Sequence, residues 1–255
     1  MKNARQHLAF PLDMPTLQQA LPFAALLADV VGVFKIGLEL FVSEGPGVIT
    51  AVRRQAPKTA IFLDLKLHDI PETVHRTTRR IADLGIDYTT VHCGDSPAML
   101  SAAAEGAGGT VSILGVTVLT SISSEDLKRS GYASAYAADV NRLVLKKAGM
   151  AKSAGLAGVV CSASEVNTIK TRCGRSFLAV TPGIRPRRGR RPEDDQKRVA
   201  TPAAAIQNGS DLLVIGRPIR DAADPVAAAR AVLKEIESGL QKKIPANGDR
   251  QQNHA

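Results

Sequence analysis

Short apolar runs and longer amphipathic stretches alternate along most of this chain. Residues 8–13, 30–36, 59–65, 87–92, 110–119, 157–161, 177–180 and 211–215 are brief and apolar on both faces. Strands of a parallel sheet have this character, because helices cover both sides of the sheet. Between them lie helical patterns over residues 16–28, 46–55, 71–84, 97–104, 124–128, 135–154, 164–171, 202–208 and 225–238. Pro71 stands where a helix's first turn tolerates a missing N–H, and Gly209 where a helix should stop. Eight strand–helix units predict an α/β fold, a single-domain (β/α)8 barrel over residues 1–238. A doubly wound sheet fits less well, since its Gly-rich dinucleotide fingerprint is missing. Residues 239–255 are polar and aperiodic and are expected to form a disordered tail.

A barrel also predicts where chemistry should sit, at the C-terminal ends of its strands. Asp13 ends the first strand, Lys35 nears the end of the second, and Asp64 and Lys66 end the third. Asp69 and Thr73 follow at the mouth of the next turn. Thr120 comes after the fifth strand, Arg185 after the seventh, and Gly216-Arg217 after the eighth. Residues i and i+2 of a strand face one side, so Asp64 and Lys66 should point together. Opposite charges against a core are costly unless paired, so this is either a structural ion pair or an acid–base centre. The shared position of the other polar residues at strand ends favours the second. Lys35, Asp64, Lys66 and Asp69 would hold one another ionised, and a lysine kept as ammonium is a proton donor. Two lysines among the carboxylates disfavour a divalent metal. The five histidines show no metal-ligand spacing, and His92, at the end of the fourth strand, reads as structural.

Gly216 would let a ligand approach the backbone, and Arg217 suits bidentate anion binding, in the region where barrels of this kind hold phosphate. The alternative is an ordinary Gly-Arg turn. From Arg185 to Arg198 there are seven basic residues against three acidic ones. Arg187 to Arg191 reads as a solvated charge run, with a lid over a phosphate as the alternative. Gln196 lies in the same stretch, and spacing says nothing about its role.

Composition narrows the classes. With no Trp and 4% aromatics, the core must be built from Ala, Val, Leu and Ile. Three cysteines without CxxC spacing argue against a disulfide framework and a zinc site, and suit a reducing compartment. No apolar run approaches membrane-spanning length, and residues 1–5 lead into a strand-like run rather than a signal core. A cytoplasmic protein without membrane contact is expected. The net charge of +9 raises nucleic acid as a partner, but the basic loop carries no aromatic residue on which bases would stack. No nucleic-acid partner is expected.

The stretch Phe62-Leu63-Asp64-Leu65-Lys66-Leu67-His68-Asp69-Ile70-Pro71-Glu72-Thr73 resembles the strand-three motif of orotidine 5′-phosphate decarboxylases, Asp-x-Lys-x-x-Asp-Ile-x-x-Thr. Other pieces fall in family order: Leu12-Asp13, Phe34-Lys35-Ile36-Gly37, Val118-Leu119-Thr120-Ser121, Thr181-Pro182-Gly183-Ile184-Arg185, Asp194-Asp195-Gln196 and Ile215-Gly216-Arg217-Pro218. The resemblance implies the last step of uridylate synthesis, loss of CO2 from orotidine 5′-phosphate to give UMP, without metal or organic cofactor. It implies that Lys66 protonates the pyrimidine carbon and that Asp64 sits beside the departing carboxylate. Lys35 would hold Asp64 and contact ribose, Asp13 would bind ribose, and Thr120 would read the pyrimidine. Arg185, Gln196, Gly216 and Arg217 would handle phosphate. Asp69 and Thr73 would be lent to the neighbouring site of a homodimer. Sugar-phosphate members of the same barrel group use Mg2+ and place an acidic residue on strand two, where this chain has Lys35. An RNA-binding barrel is the rival from another class, and only one basic loop speaks for it.

Overall fold

Eight parallel strands close into a barrel in the order in which the chain makes them. They are β1 (Leu8–Pro11), β2 (Val33–Gly37), β3 (Ala60–Leu67), β4 (Tyr88–His92), β5 (Ser112–Val116), β6 (Gly158–Val160), β7 (Leu178–Thr181) and β8 (Leu212–Val214). The protein is described by a computed structural model over residues 4–94, 96–186 and 200–242. The helices on the outside are α1 (Leu17–Leu27), α2 (Leu38–Glu44), α3 (Gly47–Gln55), α4 (Pro71–Ala82), α5 (Pro97–Ala107), α6 (Ser124–Arg129), α7 (Ser134–Ala138), α8 (Val140–Ser153), α9 (Val166–Cys173), α10 (Pro202–Gln207), α11 (Arg217–Arg220) and α12 (Pro225–Gln241).

Local chemistry starts the helices. Thr16, Ser96, Thr201 and Asp224 each accept a hydrogen bond from the amide three residues on, satisfying a donor that the first turn leaves free. The same chemistry divides the segment 135–154, which reads as one helix in sequence. Asp139 takes an extended conformation (φ −138°, ψ 95°) and accepts from the Asn141 amide, so α7 ends and α8 begins there. Helix α2, which follows β2 directly with Gly37 as its N-cap, and the four-residue α11 are absent from the sequence pattern. Helix α12 continues to Gln241, beyond the expected start of the tail at residue 239, and residues 243–255 lie outside the described ones.

The core has two layers. The larger packs the outward faces of the strands against the helices, with Leu8, Phe10, Phe34, Ile36, Ile61 and Leu63 among its fully buried members. The smaller fills the barrel interior with Ala9, Val33, Phe62, Leu114, Val180 and Leu212. Phe62 stands edge-on to Tyr88, ring centroids 6.1 Å apart, and the two plug the interior between β3 and β4. Strand alternation puts the next inward residue one step higher. Val33 is followed by Lys35, and Phe62 by Asp64. The charged site therefore rests on a hydrocarbon floor. At the opposite end the 3-10 turn Ala4–His7 closes the barrel, where the Arg5 guanidinium donates to the carbonyls of Val31 and Ala28.

One strand departs from regular pairing. Between β3 and β4 the partners run Leu63↔Thr89 and then Leu67↔Val91, four positions along β3 against two along β4. Lys66 lies in this bulge with φ 54°, the only positive-φ residue other than glycine among the described residues.

Candidate active site

The top of the barrel carries a chain of alternating charges drawn from the neighbouring strands β2 and β3 and the loop after β1. Lys35 Nζ donates to Asp13 Oδ1 at 2.9 Å and lies 3.6 Å from Asp64 Oδ2. Lys66 Nζ donates to the same Asp64 Oδ2 at 2.8 Å. Asp64 is thus a single carboxylate shared by two ammonium groups. Lys35 and Asp64 are buried, whereas the Lys66 side chain is 31% exposed and that of Asp13 51%, so the ion chain has a buried middle and reaches the mouth at both ends. Burial alone would raise the Asp64 carboxyl. Lys35 and Lys66, together with hydrogen bonds from Lys66 and Thr90, outweigh it and hold the group below the usual carboxylate range. Asp64 is ionised at neutral pH.

The bulge explains how Lys66 reaches this position. Its backbone amide has left the β3–β4 ladder and donates instead to Thr90 Oγ1 at 2.9 Å. Bulged strands bend and re-aim side chains, and here the left-handed residue turns Lys66 back over Asp64. Simple alternation predicts the same pairing, and Asp64 and Lys66 meet as expected although the strand between them is irregular.

Above the floor lies a cavity of about 130 Å3. Lys35, Asp64 and Lys66 line one side of it, and Val116, Val160, Val180 and Val214 supply apolar wall, with Thr120 at the rim. The space thus has three charges on one side, apolar wall on the other and the hydrocarbon floor beneath. Gly37 sits against the charges: a Cβ there would lie 2.8 Å from Asp13 Oδ1 and 3.2 Å from Lys35 Nζ.

The structure brings Asp13, Lys35, Asp64, Lys66 and Thr120 together. Asp69 and Thr73 stand apart from the ion chain. Asp69 is exposed, and its Oδ1 accepts from the amide of Ile70 at 2.7 Å, while the Thr73 carbonyl accepts from Thr77. This corrects the expectation that Asp69 holds the other three charges ionised within one chain. The turn after β3 carries it outward. Arg185 is buried after β7, its amide donating to the Ala200 carbonyl at 2.9 Å. Gly216 opens α11 and faces β1, where a Cβ would come 2.7 Å from Pro11 Cγ; Arg217 beside it is exposed. Gln196 and Arg187 to Arg191 lie outside the described residues.

Sequence reasoning missed Thr90. Its hydroxyl donates to Asp64 Oδ1 at 2.9 Å, and it is fully buried. A signal existed: Thr90 is two positions before His92 on β4 and so faces inward with it. His92 itself lies 6.0 Å from His68, ring centroid to centroid. Burial pushes its pKa down, and His68, Lys147 and Lys66 add to the effect against the opposing pull of Asp64.

Known proteins share this architecture. The family profile described as "Orotidine 5'-phosphate decarboxylase / HUMPS family" matches residues 6–232. The orotidine 5′-phosphate decarboxylase of Desulfosudis oleivorans is 51% identical, over 93% of this chain and 95% of that protein. That of an Anaeromyxobacter species (strain K) is 47% identical, over 87% and 94%. The crystal structure of orotidine 5′-phosphate decarboxylase from Lactobacillus acidophilus superposes with a TM-score of 0.77 at 37% identity, covering 90% of this chain and 98% of that one.

Proposed function

The chain belongs to the orotidine 5′-phosphate decarboxylase / HUMPS family, and we propose that it converts orotidine 5′-phosphate to UMP and CO2 without metal or organic cofactor. The observation that carries this reading is the single Asp64 carboxylate held between two ammonium groups. A sugar-phosphate member that works through a divalent cation needs carboxylates gathered to face it. Here Lys35 stands on strand two, 3.6 Å from Asp64, and its ammonium competes for the position a cation would take. The apolar-walled cavity beside Lys66 suits a pyrimidine ring.

The chemistry follows from the charges. The bond between the ring carbon and the carboxylate breaks, its electron pair stays on the ring carbon, and CO2 leaves. Lys66 then delivers a proton to that carbon and is reprotonated from solvent. The ammonium is adjacent as the carbanion forms, and its charge stabilises that developing charge without solvent reorganisation. Asp64 places negative charge where the substrate carboxylate lies, an interaction relieved as CO2 departs. Lys35 keeps Asp64 ionised and, with Asp13, meets the ribose. Thr120 contacts the pyrimidine. Arg185, Gln196, Gly216 and Arg217 bind phosphate, so binding energy remote from the reacting carbon lowers the barrier. Asp69 and Thr73 serve the neighbouring site of a homodimer, in keeping with their outward position.

Purified protein treated with EDTA is expected to consume orotidine 5′-phosphate in an ultraviolet absorbance assay. Folded, UMP-free protein that gave no turnover would overturn the proposal.

A further inference from the structure

We infer that Thr90 is a positioning residue for both members of the Asp64–Lys66 pair, an assignment that rests on the proposed decarboxylation and adds a residue to it. Three observations meet at one hydroxyl. The Lys66 amide donates to Thr90 Oγ1 at 2.9 Å, Thr90 Oγ1 lies 2.9 Å from Asp64 Oδ1, and Thr90 is fully buried. A backbone amide can only donate, so the oxygen of Thr90 must accept there. Its single hydrogen is then committed to Asp64 Oδ1. The direction of the bond is fixed, and it requires Oδ1 to be an acceptor.

Two consequences follow. Thr90 occupies Oδ1, which turns the carboxylate so that Oδ2 alone faces Lys66 at 2.8 Å and Lys35 at 3.6 Å. It also replaces a ladder partner for the Lys66 amide, so the left-handed turn leaves no buried donor unsatisfied. The same hydroxyl therefore aims the carboxylate and pins the backbone that carries the proton donor. Thr89 is an informative neighbour. It is equally buried, but its hydroxyl donates to the Leu63 carbonyl at 2.8 Å and touches neither charge.

The test compares Thr90→Val, which keeps shape and deletes the hydroxyl, with Thr90→Ser, which keeps the hydroxyl, and with Thr89→Val. Thr90→Val should lower kcat about ten- to a hundredfold, as expected for losing a hydrogen bond to a charged group. KM for orotidine 5′-phosphate should stay within about threefold, because phosphate and ribose contacts lie elsewhere. The acid limb of kcat/KM should move to higher pH, since Asp64 loses a donor to its ionised form. The groups facing Asp64 are Lys35 from β2, Lys66 from β3, Thr90 and His92 from β4, and Asp13 beyond Lys35. Of these, only Thr90 changes. Thr90→Ser should recover kcat and the pH profile, and Thr89→Val should lose thermal stability with both intact. If Thr90→Val misfolds, Thr90→Ala read against Thr90→Ser makes the same deletion. An unchanged kcat and acid limb in an active wild-type background would overturn the inference and leave the proposed function standing. Inactive wild-type protein would overturn the function instead. In that event the Asp64 carboxyl titration, followed by 13C NMR, still decides the positioning: it must rise in Thr90→Val and return in Thr90→Ser.

Discussion

Asp64 is the residue on which the other charges depend. Two ammonium groups and one hydroxyl hold its carboxyl below the usual range against the opposing effect of burial. A group depressed in the folded state adds stability that is present above its unfolded pKa, about 3.9, and lost as pH falls through the folded value. The difference in Tm between wild type and Asp64→Asn should therefore be largest above about pH 4 and shrink below it. A difference that stayed constant down to pH 2 would contradict the ionised assignment. Residue identities were the most legible part of this site. Asp13, Lys35, Asp64 and Lys66 are charged residues at the ends of apolar strands, a pattern visible without coordinates. Thr90 was hidden because a β-branched residue in a strand ordinarily signals packing, and nothing local marks its hydroxyl as bonded to a charge.

At the level of elements, the strands were read correctly in number and order, since each is a run covered on both faces. Their irregularities were not. A two-residue excess on β3 leaves no composition signature, because Leu65, Lys66 and Leu67 are ordinary strand residues. The split at Asp139 was missed for a different reason: apolar periodicity continues through it, and only the cap marks the break. The bulge makes its own prediction. Lys66 holds a left-handed backbone that glycine adopts without strain and alanine does not. Lys66→Ala and Lys66→Gly both remove the ammonium that the proposed mechanism uses as proton donor, and both should lose turnover by many orders of magnitude while binding UMP. Lys66→Gly should nonetheless be the more stable of the two by about 1 kcal/mol in urea denaturation. Equal stability would remove the case for a strained backbone at this position.

Over the whole molecule, the legible part was the barrel and the end of it where the charges gather. How a second copy would meet this chain was not legible in the residues themselves, because an interface depends on which surface patches that copy can match. Ile70, beside Asp69, is 65% exposed, and the Asp69 carboxylate lies outside its own chain's ion array. A site shared across a homodimer makes these facts consistent and can be tested by mixing. Lys66→Ala and Asp69→Ala subunits, each inactive alone, should reassort into dimers with one intact site, recovering about a quarter of wild-type activity. No recovery after verified exchange would confine the site to one chain. The closure of the barrel has a further consequence, for the order of synthesis. The charge array and Thr90 lie on the first four strands, while Arg185, Gly216 and Arg217 follow the last two. Strand β1 finds its second neighbour only when β8 arrives, and His7 bonds to the Asp211 carbonyl across 204 positions. A ribosome partway through this message has already emitted the charged cluster. That cluster waits beside an unpaired edge of β1 until β8 has been made, so the strand earliest in the barrel is the last to be fully paired.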